Sequence, residues 1–269
     1  ALHDMRVDDD GTVHGDPSWV GQDLETCRDF VRTWGLRAFR REAQHDVKEV
    51  EGALWKQQWI DDGRVARDWY EAQARDHLVR VVVSVDPNVS DEDGSDEAGI
   101  VVVGQTSDRT CPKCGPVDAP HFFVIEDLSG FMSPASWANR AVAAYHNHQG
   151  DRVFAEKNNG GTLVKTQLRQ ADKNVPVDLV WAAKGKVTRA EPAASLYEPG
   201  EDRVHHVGNL DNLETQQTTW VHGVPGSPGA YDALAHALVG MVTKAKGEGQ
   251  FASPASRSLS GPPLTSRGF

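Results

Sequence analysis

The chain of 269 residues is short of cysteine, short of bases relative to acids, and without long apolar runs. Three cysteines, Cys27, Cys111 and Cys114, cannot build the multi-bridge framework of a secreted disulfide scaffold, so a reducing compartment is expected. The longest apolar stretches, from Val79 to Val85 and from Ile100 to Val103, are too short to cross a bilayer, and no charged-then-apolar signal segment opens the chain. A soluble, intracellular protein with no membrane partner is expected. With 28 Lys and Arg against 39 Asp and Glu, the formal net charge of −11 argues against holding nucleic acid by bulk electrostatics. Part of that excess is local, because Asp91-Glu-Asp-Gly-Ser-Asp-Glu97 alone carries five acids. No Gly-x-x-x-x-Gly-Lys-Ser/Thr phosphate loop is present, so motor activity is not expected. No internal repeat is evident.

The 39% of hydrophobic residues is enough for one substantial core. Residues 1 to about 75 are polar, with helical patterning at Leu24–Val31 and Val65–Ala74 and no convincing sheet. Strand-like runs begin at Val79, at Gly99 and at His121, separated by turn-rich sequence, as in an antiparallel meander. Ser133-Pro134 is an N-cap with proline at the first helical position, and Trp137, Ala141 and Tyr145 recur at a spacing of four. The strand Arg152–Glu156, a helix from Thr162 to Ala171 and the strand Val177–Ala182 then give the βαβ rhythm of parallel pairing. A helix from Val187 to Tyr197, a strand at Arg203–Val207 and a last helix from Tyr231 to Lys244 follow. The expected fold is α/β, a mixed sheet with an antiparallel meander followed by parallel strands, flanked by helices. The expected divisions are 1–75, an N-terminal helical segment or linker, 76–246, the main domain, and 247–269, a flexible Gly-, Ser- and Pro-rich tail.

Three acids stand where this pattern puts chemistry. Asp86 ends the first strand before Pro87, Glu156 ends the strand Arg152–Glu156, and Asp232 opens the last helix. A carboxylate at the C-terminal end of a strand points into the crevice where open α/β sheets bind ligands. Two such strands and one helix can gather hard oxygen ligands around Mg²⁺ or Mn²⁺, and two such ions suit phosphodiester hydrolysis. Each acid alone reads first as a turn or capping residue, and it is the three together that point to a site. Asp96, at the mouth of the second strand, is a candidate fourth ligand, and Asp127 a weaker one. His236, one turn after Asp232, reads first as a surface histidine. Asn158, in Asn158-Asn-Gly-Gly161, lies where glycines let a phosphate approach the backbone. Lys184, Lys186 and Arg189 form a basic strip suited to phosphates rather than base edges. Thr110-Cys-Pro-Lys-Cys-Gly115 looks like one knuckle of a zinc ribbon, but a structural zinc takes four ligands. No second knuckle exists, and only His121 and Cys27 offer loose completions, so a plain loop without zinc is expected there.

Together these stretches resemble the C-terminal nuclease domain of the large terminase subunit of tailed bacteriophages. They are Val-Ser-Val-Asp86-Pro with Asp96-Glu-Ala-Gly-Ile100, Glu126-Asp-Leu-Ser-Gly130 with Ser133-Pro-x-x-Trp137-Ala138, Ala155-Glu-Lys-Asn-Asn-Gly-Gly161, Gly185-Lys-Val-Thr-Arg-Ala-Glu-Pro192 and Ser227-Pro-x-x-x-Asp232-Ala-Leu. The likeness runs from about residue 48 to 245, starting with Glu51-Gly-Ala-Leu-Trp55. It implies an RNase H-like fold and a Mg²⁺- or Mn²⁺-dependent endonuclease that cuts concatemeric viral DNA during packaging, in the cytoplasm of a bacterial host. It puts Asp86, Glu156 and Asp232 on the family's metal-binding acids and Asp96 on an accessory acid. It implies double-stranded DNA, an ATPase portion, a small terminase subunit and a portal as partners. Residues 1 to about 47 look like the end of an ATPase portion. Another RNase H-like nuclease of resolvase or transposase type shares the acids, and a catalytically silent docking module is the reading from another class. A calcium loop at Asp91–Gly99 lacks the glycine position and closing glutamate of a helix-loop-helix site.

Overall fold

Valines at 79, 81, 82, 83 and 85 are stiff at χ1 and pack well on a pleated surface, which makes Leu78–Asp86 a strand. Both faces of it are buried from Val81 onward, the mark of a central strand covered on two sides. The computed structural model describes residues 2–7, 12–17, 23–34, 52–87, 97–156, 161–180, 186–221 and 228–247. In chain order these form β1 (Leu2–Val7), β2 (Val13–Pro17), α1 (Leu24–Trp34), α2 (Gln57–Gly63), α3 (Arg67–Gln73), β3 (Leu78–Asp86), β4 (Gly99–Thr106), β5 (Thr110–Cys111), β6 (Gly115–Pro116) and β7 (Phe122–Asp127). They continue with α4 (Pro134–Asn147), β8 (Arg152–Glu156), α5 (Gly161–Ala171), β9 (Val177–Val180), α6 (Lys186–Ser195), β10 (Val204–His206), α7 (Asp211–Thr219) and α8 (Gly229–Gly247).

Six strands form one mixed sheet in the order β10-β7-β4-β3-β8-β9. β3, β4 and β7 are antiparallel neighbours, whereas β8 pairs parallel to β3, β9 parallel to β8, and β10 parallel to β7. The expected meander followed by parallel strands is what forms. Alternation along each strand divides the core in two. Val81, Val83, Val85, Val153 and Ala155 face a cluster with Trp137, Ala141 and Leu168 of α4 and α5. Val82, Val101, Val103 and Phe154 face a cluster with Tyr231, Leu234 and Leu238 of α8.

Several expectations need correction. Residues 2–17 contain a β-hairpin, β1 paired antiparallel to β2, where no sheet was expected. Polar residues and a glycine interrupt both strands, so the alternation that marks a half-buried strand is faint; among the described side chains of the hairpin, Leu2 and Val13 are the buried ones. A boundary near residue 76 does not separate the helical segment from the main core. Trp55 and Ile60 belong to the α8 cluster, and Val65, Tyr70 and Ala74 to the other. Val65 also bridges to Val207 in parallel. α2 and α7 were not expected; α7 buries Glu214, Gln217 and Thr218, a polar face that hydropathy does not flag. In α8, Ala230 through Leu238 are all buried, so this stretch turns no face to solvent. The tail from 248 onward, Asp96, Asn158 and Lys184 lie outside the described residues, as do the side chains of Lys186 and Arg189.

Candidate active site

The same alternation that divides the core aims the acids. Val82, Ser84 and Asp86 share one face of β3, and Phe154 and Glu156 share one face of β8; Val82 and Phe154 lie in the cluster beneath α8. β3 and β8 run parallel with Val85 opposite Ala155, so Asp86 and Glu156 end neighbouring strands side by side. Both are buried, Asp86 at 9% and Glu156 at 4% exposure.

α8 is laid across these ends by two close backbone approaches. Gly240 sits where a Cβ would be 2.9 Å from the Phe154 ring. At the start of the helix, a Cβ on Gly99 would run into the Gly229 carbonyl, and one on Gly229 would lie 2.9 Å from the Gly99 amide nitrogen. Gly99 is the register partner of Asp86. The first turn of α8 is thereby pinned beside the end of β3, and Asp232 and His236 follow, 2% and 5% exposed. Asp86, Glu156 and His236 each offer a ligand atom, and these atoms all lie within 4.8 Å of one another. Asp232, one turn earlier on α8, is not a member of that close trio. His236 is therefore not the surface histidine expected: it is buried and belongs to the cluster. Its spacing of four from Asp232 was the one signal in the sequence.

A hydrogen-bonded frame supports this corner. The Gln216 amide donates to Glu97, and its carbonyl accepts from the Tyr231 amide at 3.1 Å, next to Asp232. Asn212 donates to Glu97 at 2.8 Å. Burial pushes the Glu97 carboxyl up against the opposing effect of these two hydrogen bonds, with Asp127 adding to the rise. Asp127 accepts from the backbone amides of Leu213 at 3.0 Å and Ser129 at 3.0 Å, so its carboxylate caps the start of α7 rather than joining the trio.

A second cluster adds a candidate ligand beside the cysteine loop. Cys111 and Cys114 sit on the β5–β6 hairpin, and with His121 and His205 they present four ligand atoms all within 4.8 Å of one another. His205, not Cys27, is the partner missed; within Val-His-His-Val of β10 nothing local marks it. Burial drives the His205 imidazole down to about 3 and the Cys114 thiol up to about 11, the latter with Cys111 contributing.

A family model described as "Terminase RNaseH-like domain" matches residues 83–219. Among solved structures, the nuclease domain of the large terminase subunit gp2 of bacterial virus Sf6 is 13% identical, with a TM-score of 0.45 over 68% of this chain and 96% of that one. The large terminase nuclease of thermophilic phage G20c is 13% identical, with a TM-score of 0.41 over 60% and 81%. The human cytomegalovirus terminase nuclease domain, Mn soaked and inhibitor bound, is 12% identical, with a TM-score of 0.42 over 71% and 95%. Comparison with curated proteins gives no match.

Proposed function

This chain belongs to the terminase RNase H-like domain family, and from that membership we propose that it is a Mg²⁺- or Mn²⁺-dependent endonuclease that cuts concatemeric phage DNA during genome packaging. The observation that carries the reading is the convergence of Asp86, Glu156 and His236, with Asp232 one helical turn away, at the C-terminal ends of two parallel strands.

The donor set fits a hard divalent ion. Two carboxylates this close and this buried repel each other, and a cation between them relieves that repulsion while using oxygens that Mg²⁺ and Mn²⁺ prefer. Asp86, Glu156 and Asp232 are the proposed metal-binding acids, with His236 beside them and Asp96 as an accessory ligand. Two divalent ions held by these residues would supply an activated water and neutralise the charge growing on the leaving oxygen.

What the chain itself contributes is position. Strands β3 and β8 are buried on both faces, so the carboxylates of Asp86 and Glu156 stand on elements that cannot shift without disturbing the core. Packing of α8 against β8 at Gly240 and against β4 at Gly229 holds Asp232 and His236 at a fixed height above them. The Glu97–Gln216–Tyr231 bridge locks the start of that helix. The basic residues Lys184, Lys186 and Arg189, with Asn158, are proposed to meet the DNA backbone, and double-stranded DNA is the proposed substrate. The packaging ATPase portion, small subunit and portal are the proposed partners, in the cytoplasm of a bacterial host.

The test is nicking and linearisation of supercoiled plasmid in Mg²⁺, Mn²⁺ or EDTA, comparing wild type with Asp86→Ala, Glu156→Ala and Asp232→Ala. A metal-dependent cut lost in all three variants, with folding retained by circular dichroism, supports the reading. Cutting that persists in the variants removes these residues from the site. No cutting by wild type under any metal favours a silent docking module.

A further inference from the structure

We propose that Cys111, Cys114, His121 and His205 bind one zinc ion in a closed tetrahedral site, separate from the carboxylate site, that fastens the edge of the sheet.

Three short contacts converge on a single atom. His205 Nε2 lies 3.4 Å from Cys111 Sγ, 3.6 Å from Cys114 Sγ and 3.1 Å from His121 Nδ1. The other ring nitrogen, Nδ1, lies 3.1 Å from the Gly63 carbonyl oxygen and donates to it. That bond leaves Nε2 with one lone pair and no proton. One lone pair accepts one hydrogen bond, so three groups crowding it are not explained by hydrogen bonding alone. They are explained by a shared cation. Zinc with Zn–S of about 2.3 Å and Zn–N of about 2.0–2.1 Å places sulfur and nitrogen ligands roughly 3.6 Å apart, and two nitrogen ligands roughly 3.3 Å apart, across a tetrahedron. The observed separations lie close to those edges.

The surroundings have the form of a structural site. Cys111 is fully buried, His205 is 1% and His121 6% exposed, and Cys114 is the exposed member of the four. Gly115, which follows the second cysteine, has φ of +83°, the left-handed turn that folds the knuckle back so both sulfurs point one way. The bond from His205 Nδ1 to a backbone carbonyl fixes the ring's tautomer and orientation, as partners beyond the ligands do for metal-bound histidine. Chemistry favours zinc over harder ions, since two sulfurs and two imidazoles are soft or borderline donors. On binding, the two thiols release their protons to solvent, and two thiolates with one Zn²⁺ make a neutral unit suited to burial. All four positions are filled by protein, so no open coordination position is left for catalysis.

The ligands come from three places in the sheet's edge: the β5–β6 hairpin, the residue before β7, and β10. β10 is a strand of three residues at the end of the sheet, where β7 is its one strand neighbour and the Val65 amide donates to the His206 carbonyl at 2.8 Å. Zinc would cross-link it to β7 and to the hairpin, and through Gly63 to the end of α2.

The test uses the full chain. The metal content of wild-type protein is measured after purification and after adding zinc chloride, and X-ray absorption reports the ligand shell. The expected result is about one zinc per chain with a shell of two sulfurs and two nitrogens. Asp86→Asn should keep this zinc, whereas Cys111→Ser with Cys114→Ser, or His205→Gln, should lose it. Should those variants fail to fold, an organomercurial titration of wild type, read with a chromophoric chelator, must release zinc in step with modification of Cys111 and Cys114. Protein that takes up neither zinc nor cobalt, a shell of oxygen ligands only, or a Cys111–Cys114 disulfide in the purified chain would overturn the proposal.

Discussion

Arg64 grips Glu214 with both terminal nitrogens, at 2.5 and 2.9 Å, across 150 residues of sequence. Glu214 is 1% exposed, and its carboxylate also accepts from His206 Nδ1 at 3.0 Å and from the Leu210 amide at 3.2 Å. Arg64 reaches further, to Asp61 at 2.7 Å and the Gly208 carbonyl at 2.6 Å. α2, β10 and α7 are tied at this one point.

Removing Arg64 leaves a buried carboxylate without its bidentate partner. Arg64→Ala is expected to destabilise the fold by about 3–5 kcal/mol, the usual result of breaking a buried pair from one side. Urea unfolding of wild type and variant measures it; a loss below about 1 kcal/mol would mean that His206 and the Leu210 amide suffice.

The same carboxylate predicts acid sensitivity. Burial alone would raise Glu214, but the hydrogen bonds and charges of His206 and Arg64 outweigh it and hold the group well below the usual carboxylate range. Its folded pKa is depressed, so the stability it contributes is complete above the ordinary value of 4.5 and is lost as pH falls below it. Melting temperature should drop steeply below about pH 4.5, and Glu214→Gln should flatten that drop while lowering stability at neutral pH.

Gly99→Ala should damage both fold and site. The added methyl meets the Gly229 backbone, which cannot move aside as a side-chain tip would. A loss of about 1–3 kcal/mol is expected from the overpacking, together with loss of metal-dependent cleavage as the first turn of α8 leaves the end of β3. Stability and plasmid cutting are measured on the same preparation; unchanged cutting would show that the helix start does not set the site.

His236→Ala should lower plasmid cleavage on the order of 10–100-fold, the range for residues that support a metal site. Raising the Mn²⁺ concentration should recover part of the loss if the residue assists metal binding. Full activity in the variant would leave His236 as packing.

Local sequence marked most of the sheet because its strands declare themselves residue by residue. Valine runs in β3 and β4 have few other conformations available, and Ser133, whose hydroxyl accepts from the Ser136 amide at 3.4 Å, caps a helix where Pro134 begins it. α7 stayed hidden because three of its four buried residues, Glu214, Gln217 and Thr218, are polar, and the charge on Glu214 is met by Arg64, 150 residues away in sequence. The hairpin of β1 and β2 has a register shift between His3 and Arg6 that blurs alternation.

By itself the sequence determined the order of the six strands of the main sheet and of α4, α5, α6 and α8, the carboxylates at the ends of β3 and β8, and the cysteine knuckle, since each depends on neighbours within a few residues. Only the tertiary structure decided that His236 joins Asp86 and Glu156, and that His205 completes the group of Cys111, Cys114 and His121. Those meetings depend on the parallel register of β3 with β8, on β10 returning beside β7, and on glycine contacts that bring α8 down onto the strand ends. Such contacts are set by packing among segments tens of residues apart, and no local pattern carries them.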